Sequence, residues 1–185
     1  GVFTGALENG GSVRGINVKG QAEMPRKKID ALVDFAKTYG AKGLAYLAID
    51  EEGNYKSSFA KFMTEDELSQ ILSTLGCEKG DVALIVADKN KVTLPVLGAL
   101  RLTVANRLDI IPDTFNFLWI TEFPFFDWDE ELGQFVAMHH PFTSPLDECI
   151  PYLETDKAKV RAKAYDLVLN GIELSSGSIR ITNPE

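Results

Sequence analysis

Residues 164–181 read A-Y-D-L-V-L-N-G-I-E-L-S-S-G-S-I-R-I. The apolar runs in this stretch predict two strands joined by a Gly/Ser turn. Three charged residues, Asp166, Glu173 and Arg180, interrupt segments that are otherwise typical of buried strands. Charged side chains are rare in a core strand unless they are paired or bind a ligand. We therefore predict that this stretch forms one wall of a binding site.

Two interpretations of these three charges are open on spacing alone. In the first, the two carboxylates hold a hard cation such as Mg²⁺, which in turn suits phosphates. Arg180 would then bind a carboxylate or phosphate group through paired hydrogen bonds. In the second, Arg180 forms a buried ion pair with one of the acids and binds nothing else.

The spacing of the two carboxylates places a condition on the first interpretation. Asp166 and Glu173 are an odd number of positions apart, so on one regular strand they would face opposite sides of the sheet. They converge only if the strand bulges or kinks between them. Asn170-Gly171 is the expected place, because a glycine within a strand often marks a bulge. The sequence therefore predicts an irregularity at these two residues.

The two histidines of the chain, His139 and His140, are adjacent and end a predicted strand just before Pro141. Neighbouring residues of a strand point to opposite faces, so this pair is poorly suited to bind one metal ion together. At a strand end, one imidazole can face a pocket while the other packs or caps. A neutral imidazole in that position can orient a small acidic ligand; a purely structural role is the alternative.

The totals exclude several classes of protein. The chain has 185 residues, 45% of them hydrophobic, which is enough for one generous domain or for one domain plus part of another. Its net charge of −8 argues against binding nucleic acid by bulk electrostatics. No apolar run approaches the roughly 20 residues needed to cross a membrane. Cys77 and Cys149 belong to no metal or redox motif, so we expect a reduced, cytoplasmic setting.

The order of predicted elements indicates an α+β fold with the helices on one face of the sheet. Glu8-Asn9-Gly10-Gly11 predicts the turn of an N-terminal β-hairpin. Helices are predicted after Pro25, after Thr64 with a capping box to Glu67, and over about 92–108.

The composition changes near residues 111–113. Long aromatic segments follow, at 115–126 and 134–140, and the acidic turn between them predicts an antiparallel hairpin. We therefore predict a domain boundary at 110–114, with one domain over 1–112 and a second over 113–185.

Several long motifs resemble bacterial-type aspartyl-tRNA synthetases of class II, and they occur in the order seen in that family. M-H-H-P-F-T-S-P (138–145), F-L-W-I-T-E-F-P (117–124) and the stretch 163–181 resemble parts of the catalytic domain. The earlier motifs G-A-L-E-N-G-G-S-V-R-G-I-N and L-G-A-L-R-L resemble the GAD domain. That domain is inserted in these synthetases and also occurs in tRNA-dependent amidotransferase subunits. The resemblance implies a GAD insertion domain over 1–112 and a partial antiparallel class II synthetase sheet over 113–185.

The resemblance also implies an activity and a set of site residues. The parent protein would be an aspartate–tRNA ligase that converts L-aspartate and ATP to aspartyl-adenylate and passes the aspartyl group to tRNA-Asp. His139, His140 and Arg180 would bind the aspartate. Glu173 would bind ATP and, with Asp166, would hold Mg²⁺. The parent would be a cytoplasmic homodimer.

Two departures from the family pattern bear on these expectations. The sequence S-S-G-S (175–178) stands where the family usually has G-G-G-S. The family's other ATP-binding motifs, its dimer-forming motif and its anticodon-binding domain have no counterpart here, so we expect a fragment that is inactive alone. The alternative is the tRNA-contacting GAD module of an amidotransferase subunit, which residues 1–112 would fit. The histidine motif and the charged hairpin favour the synthetase.

Overall fold

The structure, a computed structural model, describes residues 1–182. The chain divides into two compact units, Gly1–Ile111 and a second that begins at Pro112. Within residues 1–182, no helix is both long and apolar enough to cross a membrane.

The first unit is built on a four-stranded sheet in which every neighbouring pair is antiparallel, in the order β1-β4-β2-β3. Its strands are β1 (Ser12–Val18), β2 (Ala45–Ile49), β3 (Tyr55–Ser57) and β4 (Val82–Asp88). Its helices are α1 (Val2–Glu8), α2 (Arg26–Thr38), α3 (Glu65–Thr74) and α4 (Asn90–Arg107), with a single 3₁₀ turn at Ala60–Phe62.

Strand β4 forms the centre of this unit, because its side chains are buried on both faces of the sheet. Val82, Leu84 and Val86 pack on one side with α2 and α4. Ala83 and Ile85 pack on the other side with α3 and the Phe3 ring of α1. The predicted α+β class is confirmed, but the helices cover both faces rather than one. A continuous apolar strand of this kind requires cover on both sides.

The predicted N-terminal hairpin is wrong, because residues 2–8 form a helix. Phe3 of this helix makes an edge contact with the Phe59 ring at 4.9 Å between centroids. The residues that predicted a turn do form one, directly after the helix. The backbone N–H of Gly11 donates to the carbonyl of Ala6, and Gly10 has a φ of 71°. Packing against the sheet thus decides a short segment whose local preference favoured a strand.

The capping box that begins α3 is confirmed. The Thr64 hydroxyl accepts from the backbone N–H of Glu67, and the Glu67 carboxylate accepts from the backbone N–H of Thr64 at 2.8 Å. Helix α4 also agrees with the sequence-based bounds to within two residues at each end.

A buried carboxylate ties together the turns at one end of this sheet. Asp81 accepts hydrogen bonds from the backbone N–H groups of Gly20 and Glu78 and from the side-chain amide of Asn17, at 2.8–3.0 Å. Burial acts to raise the pKa of Asp81, but these hydrogen bonds outweigh it and hold the pKa below its ordinary value.

The second unit contains a three-stranded sheet, a two-stranded hairpin and two 3₁₀ segments. The sheet order is β5-β8-β9, and β6 pairs with β7. The strands are β5 (Phe117–Thr121), β6 (Phe126–Asp129), β7 (Gln134–Ala137), β8 (Ala164–Leu169) and β9 (Ile172–Ser178), and the 3₁₀ segments are Asp147–Tyr152 and Lys157–Lys159.

The aromatic segment predicted as one long strand is divided between two sheets. Phe117–Thr121 pairs with β8, and only Phe126–Asp129 forms the expected hairpin with β7. Glu122, which has a φ of 58°, and Pro124 break the run between them. An antiparallel hairpin is therefore present, but its first strand lies mostly in the segment predicted as the turn, and Phe126 is the one residue of the predicted first strand that it contains.

The core of this unit is small. Val160, Ala162, Ala164 and Val168 are buried, whereas all five residues of β5 are exposed. Both edges of the three-stranded sheet, β5 and β9, thus carry exposed apolar side chains.

Candidate functional site

The hairpin of β8 and β9 reverses at Asn170-Gly171, and not at the Gly/Ser segment that the sequence indicated. Both turn residues have positive φ, 49° and 84°, as a two-residue type I′ turn requires. This turn places Glu173 opposite Val168. Since Val168 and Asp166 lie on the same face of β8, the two acids share that face. The predicted convergence is therefore present, but its cause is a turn and not a bulge at Asn170-Gly171.

A bulge does occur in this hairpin, one residue after Glu173. Val168 pairs with Glu173 and Leu167 pairs with Ser175, which leaves Leu174 as the extra residue. Beyond the bulge, Ser176 lies opposite Asp166. Ser178 and Arg180 follow at alternate positions, so they turn toward the face that carries the acids.

A cavity of about 390 Å³ lies against this face. All five residues predicted as site residues line it, namely Asp166, Glu173, Arg180, His139 and His140. Sequence reasoning missed the other polar side chains of its wall, those of Thr143, Ser176 and Ser178. The two serines could have been found, because they precede Arg180 at the strand period of two.

The serine substitutions at 175–176 are accommodated because only the third position of this segment requires glycine. A Cβ added to Gly177 would lie 2.8 Å from the Tyr165 ring. That ring in turn makes an edge contact with Trp119, at 5.8 Å between centroids. Ser175 and Ser176 adopt ordinary strand geometry within β9. The departure from the family pattern therefore leaves the strand register intact.

The loop that contains the histidines, residues 139–144, is hydrogen-bonded to the segment just after the β8–β9 hairpin, residues 179–181. Thr143 pairs with Arg180, and flanking hydrogen bonds of 2.8 Å run from Ser144 N–H to the Ile179 carbonyl and from Ile181 N–H to the Phe142 carbonyl. Such a pair brings the two side chains close together. The Thr143 side chain is only 1% exposed, and its hydroxyl lies 3.4 Å from that of Ser178.

Within residues 1–182, the ring of each histidine makes one hydrogen bond to the backbone. Nε2 of His139 lies 3.1 Å from the carbonyl oxygen of Pro124, and its ring meets the Phe123 ring edge-on. Nδ1 of His140 accepts from the backbone N–H of Phe142 at 3.2 Å. The carbonyl of His140 accepts from Thr143 N–H, which closes a turn around Pro141. The two rings are therefore held by different nitrogen atoms.

The buried ion pair offered as an alternative explanation of the charges is absent. Arg180 makes no ion pair with Asp166 or Glu173, and both Glu173 and Arg180 are exposed. Within residues 1–182 the guanidinium and the two carboxylates have no ion-pair partner and can therefore meet a ligand.

The carboxylates offer an incomplete set of metal ligands. Within residues 1–182, no three His, Cys, Asp or Glu side chains are grouped so as to hold a metal ion. Asp166 and Glu173 supply two carboxylates on one face. This donor set fits Mg²⁺, which commonly binds one or two carboxylates and completes its shell with water and substrate phosphates.

A second cavity, of about 380 Å³, lies in the first unit between β1 and α3. It is lined largely by apolar side chains, among them Phe3, Val13, Ile71 and Leu75. None of the predicted site residues contributes to it.

Comparison with known proteins gives matches across both units. The GAD domain matches residues 3–97. An aspartate–tRNA(Asp/Asn) ligase of Lachnoclostridium phytofermentans is 64% identical over 181 residues, 97% of this chain and 30% of that relative. An aspartate–tRNA ligase of Agathobacter rectalis is 61% identical over 98% of this chain, again 30% of the relative. An aspartate–tRNA(Asp/Asn) ligase of Caldanaerobacter subterraneus subsp. tengcongensis is 54% identical over 100% of this chain and 31% of the relative. The chain thus spans about 30% of the length of these curated relatives.

Proposed function

The chain belongs to the GAD domain family, and we propose that it is part of an aspartate–tRNA ligase. The parent enzyme would activate L-aspartate with ATP and transfer the aspartyl group to tRNA-Asp. The observation that carries this proposal is that one and the same cavity is lined by His139, His140, Asp166, Glu173 and Arg180. An amidotransferase subunit is not favoured, because the ligases match the chain over both units.

The end of the cavity that carries Arg180 suits an aspartate subsite. The exposed guanidinium has no carboxylate partner in the hairpin, and its planar fork matches a carboxylate. The two histidines are bonded to the same part of the wall through Thr143. We propose that Arg180 binds the side-chain carboxylate of the substrate and that His139 and His140 contact the rest of the amino acid.

The end that carries the acids suits the nucleotide. We propose that Glu173 binds ATP and that Asp166 and Glu173 together hold Mg²⁺. When bound, the ion would neutralise phosphate charge as the substrate carboxylate attacks the α-phosphorus and pyrophosphate leaves. The residues of this chain would act by holding the two substrates in line and by stabilising charge.

We further propose that this chain is inactive alone and that the parent enzyme is a cytoplasmic homodimer. The exposed apolar side chains on β5 and β9 support completion of the sheet by further strands. The two cysteines, Cys77 and Cys149, are free, which suits a reducing compartment. Aspartate-dependent exchange between ATP and pyrophosphate by the chain alone would contradict the first part of this proposal.

The proposal is tested by binding of a non-hydrolysable aspartyl-adenylate analogue to the full chain, measured by calorimetry. We expect binding by the wild type and at least tenfold weaker binding by Arg180→Gln. Arg101→Gln, an exposed arginine of α4, is the matched control and should bind like the wild type. Equal affinity for the aspartyl and alanyl analogues would overturn the assignment of the aspartate subsite.

A further inference from the structure

We propose that the two adjacent histidines have fixed and opposite hydrogen-bonding roles in the cavity. His140 donates to the ligand through Nε2–H, and His139 accepts from the ligand through Nδ1. The tautomers follow from hydrogen bonds between the two rings and the backbone of the chain; only the identity of the ligand rests on the proposed function.

The role of His140 is set by the turn that follows it. The backbone N–H of Phe142 can only donate, so Nδ1 of His140 must accept this hydrogen bond, 3.2 Å long, and carries no proton. A neutral imidazole then bears its proton on Nε2. The Phe142 ring meets the imidazole edge-on at 4.9 Å, and the His140–Thr143 hydrogen bond closes the turn. His140 therefore presents a donor at the outer end of its ring.

The role of His139 is set by the segment that connects β5 and β6. The carbonyl of Pro124 can only accept, so the nitrogen 3.1 Å away, Nε2, must carry the proton. Nδ1 of the neutral ring is then an acceptor. Phe123, which also lines the cavity, contacts the ring at 5.8 Å between centroids and helps to fix its plane. His139 therefore keeps an acceptor as its one remaining polar ring atom.

This arrangement selects the chemistry of a ligand. An acceptor group such as a carboxylate would meet His140, and a donor group such as an ammonium would meet His139. A free α-amino acid carries both groups on one carbon. Two histidines that both presented a donor nitrogen, or both an acceptor nitrogen, would instead favour a ligand with two acceptor groups or with two donor groups.

The tautomers can be measured directly by long-range ¹H–¹⁵N correlation spectra of the ligand-free full chain at alkaline pH. His139→Asn and His140→Asn each remove one set of signals and so assign the two rings. We expect the Nε2–H tautomer for both residues. The Nδ1–H tautomer at either ring, or an equal mixture, would overturn the proposal whether or not the chain binds L-aspartate.

Paired substitutions test the opposite roles in binding, with L-aspartate as the probe. A glutamine amide reaches about as far as Nε2, and an asparagine amide about as far as Nδ1. We expect His140→Gln to retain affinity within threefold and His140→Asn to lose at least tenfold, with the reverse order at position 139. The same order at both positions would overturn the opposite roles. If the wild type fails to bind L-aspartate, the proposed function fails and the tautomer measurement alone decides this inference.

Discussion

Glu173 and Arg180 line the same cavity although they are an odd number of positions apart along the chain. On one regular strand they would face opposite sides of the sheet. The extra residue at Leu174 shifts the register between them, so that Ser176 rather than Ser175 lies opposite Asp166. The bulge therefore determines which side chains after Leu174 face the site.

Deletion and insertion of a residue at the bulge should have opposite effects on which face of the sheet carries Arg180. Deletion of Leu174, which is exposed, removes the extra residue and leaves Glu173 and Arg180 on one face. Insertion of alanine after Leu174 turns Arg180 to the other face unless a second bulge forms.

We expect the deletion to keep the cross-strand contact between Asp166 and Ser176 and the insertion to abolish it, as read from nuclear Overhauser effects. Loss of the contact in the deletion variant, with retention in the insertion variant, would refute the role of the bulge.

The turn at Asn170-Gly171 should be sensitive to a Cβ for conformational reasons alone. Gly171 has a φ of 84°, yet a Cβ built there meets nothing within 4 Å. Gly171→Ala should therefore lower the free energy of unfolding by about 1 kcal/mol through backbone strain. Gly98→Ala, at an open helical position without positive φ, should raise it by about 0.5–1 kcal/mol. Denaturant unfolding of both variants checks this, and equal signs would contradict it.

The sequence identified residues that share one cavity better than it predicted the local structure around them. The identities of Asp166, Glu173 and Arg180 were evident because charge is conspicuous in apolar strands. The position of the turn was not, because Asn170-Gly171 is a signal for either a turn or a bulge and the S-S-G-S segment competed with it. The residue that makes the bulge, Leu174, carries no local signal, since its role follows from pairing with β8.

The same limit applies in the first unit. The capping box at Thr64 and the central strand β4 could be predicted, because their signals are local and strong. The helix at residues 2–8 could not, since it depends on where Phe3 packs, and that is a tertiary contact. Cover on both faces of the sheet was implied by the continuous apolar run of β4 and could have been inferred from it.

Asp81 should make the first unit sensitive to acid. A carboxylate whose pKa is lowered on folding contributes stability that is present above its unfolded pKa, near 4, and is lost as the pH falls through the folded pKa. Asp81→Asn should reduce the free energy of unfolding at pH 7 by about 2 kcal/mol, since it weakens three hydrogen bonds to a charged group. Urea unfolding at pH 7 and pH 3 checks this.

The contribution of Asp81 should also shrink in acid, so that the difference between wild type and variant is smaller at pH 3 than at pH 7. Asp30→Asn, which removes an exposed pair with Arg26, is the control and should change stability little at either pH. A constant difference between the Asp81 variant and the wild type across this range would argue against the carboxylate.

Cys77 should react slowly with thiol reagents in the folded chain. Burial raises the pKa of this thiol to about 11, and the nearby Asp81 carboxylate adds to the effect. At pH 8 the thiolate fraction is then about a hundredfold below that of a thiol with the ordinary pKa of 9.0. Alkylation by iodoacetamide in a Cys149→Ser background should be slow and should accelerate in urea. A folded-state rate equal to the unfolded rate would contradict the effect of burial.

The most direct test of the central claim, that one cavity of the second unit places His139, His140 and Arg180 around one amino acid substrate, is titration of the full ¹⁵N-labelled chain with L-aspartate. We predict shifts concentrated at residues 139–144 and 176–181 that saturate with one dissociation constant. L-asparagine should bind at least tenfold more weakly, because it offers Arg180 no carboxylate side chain. Shifts confined to the first unit, or equal affinity for the two amino acids, would contradict the account.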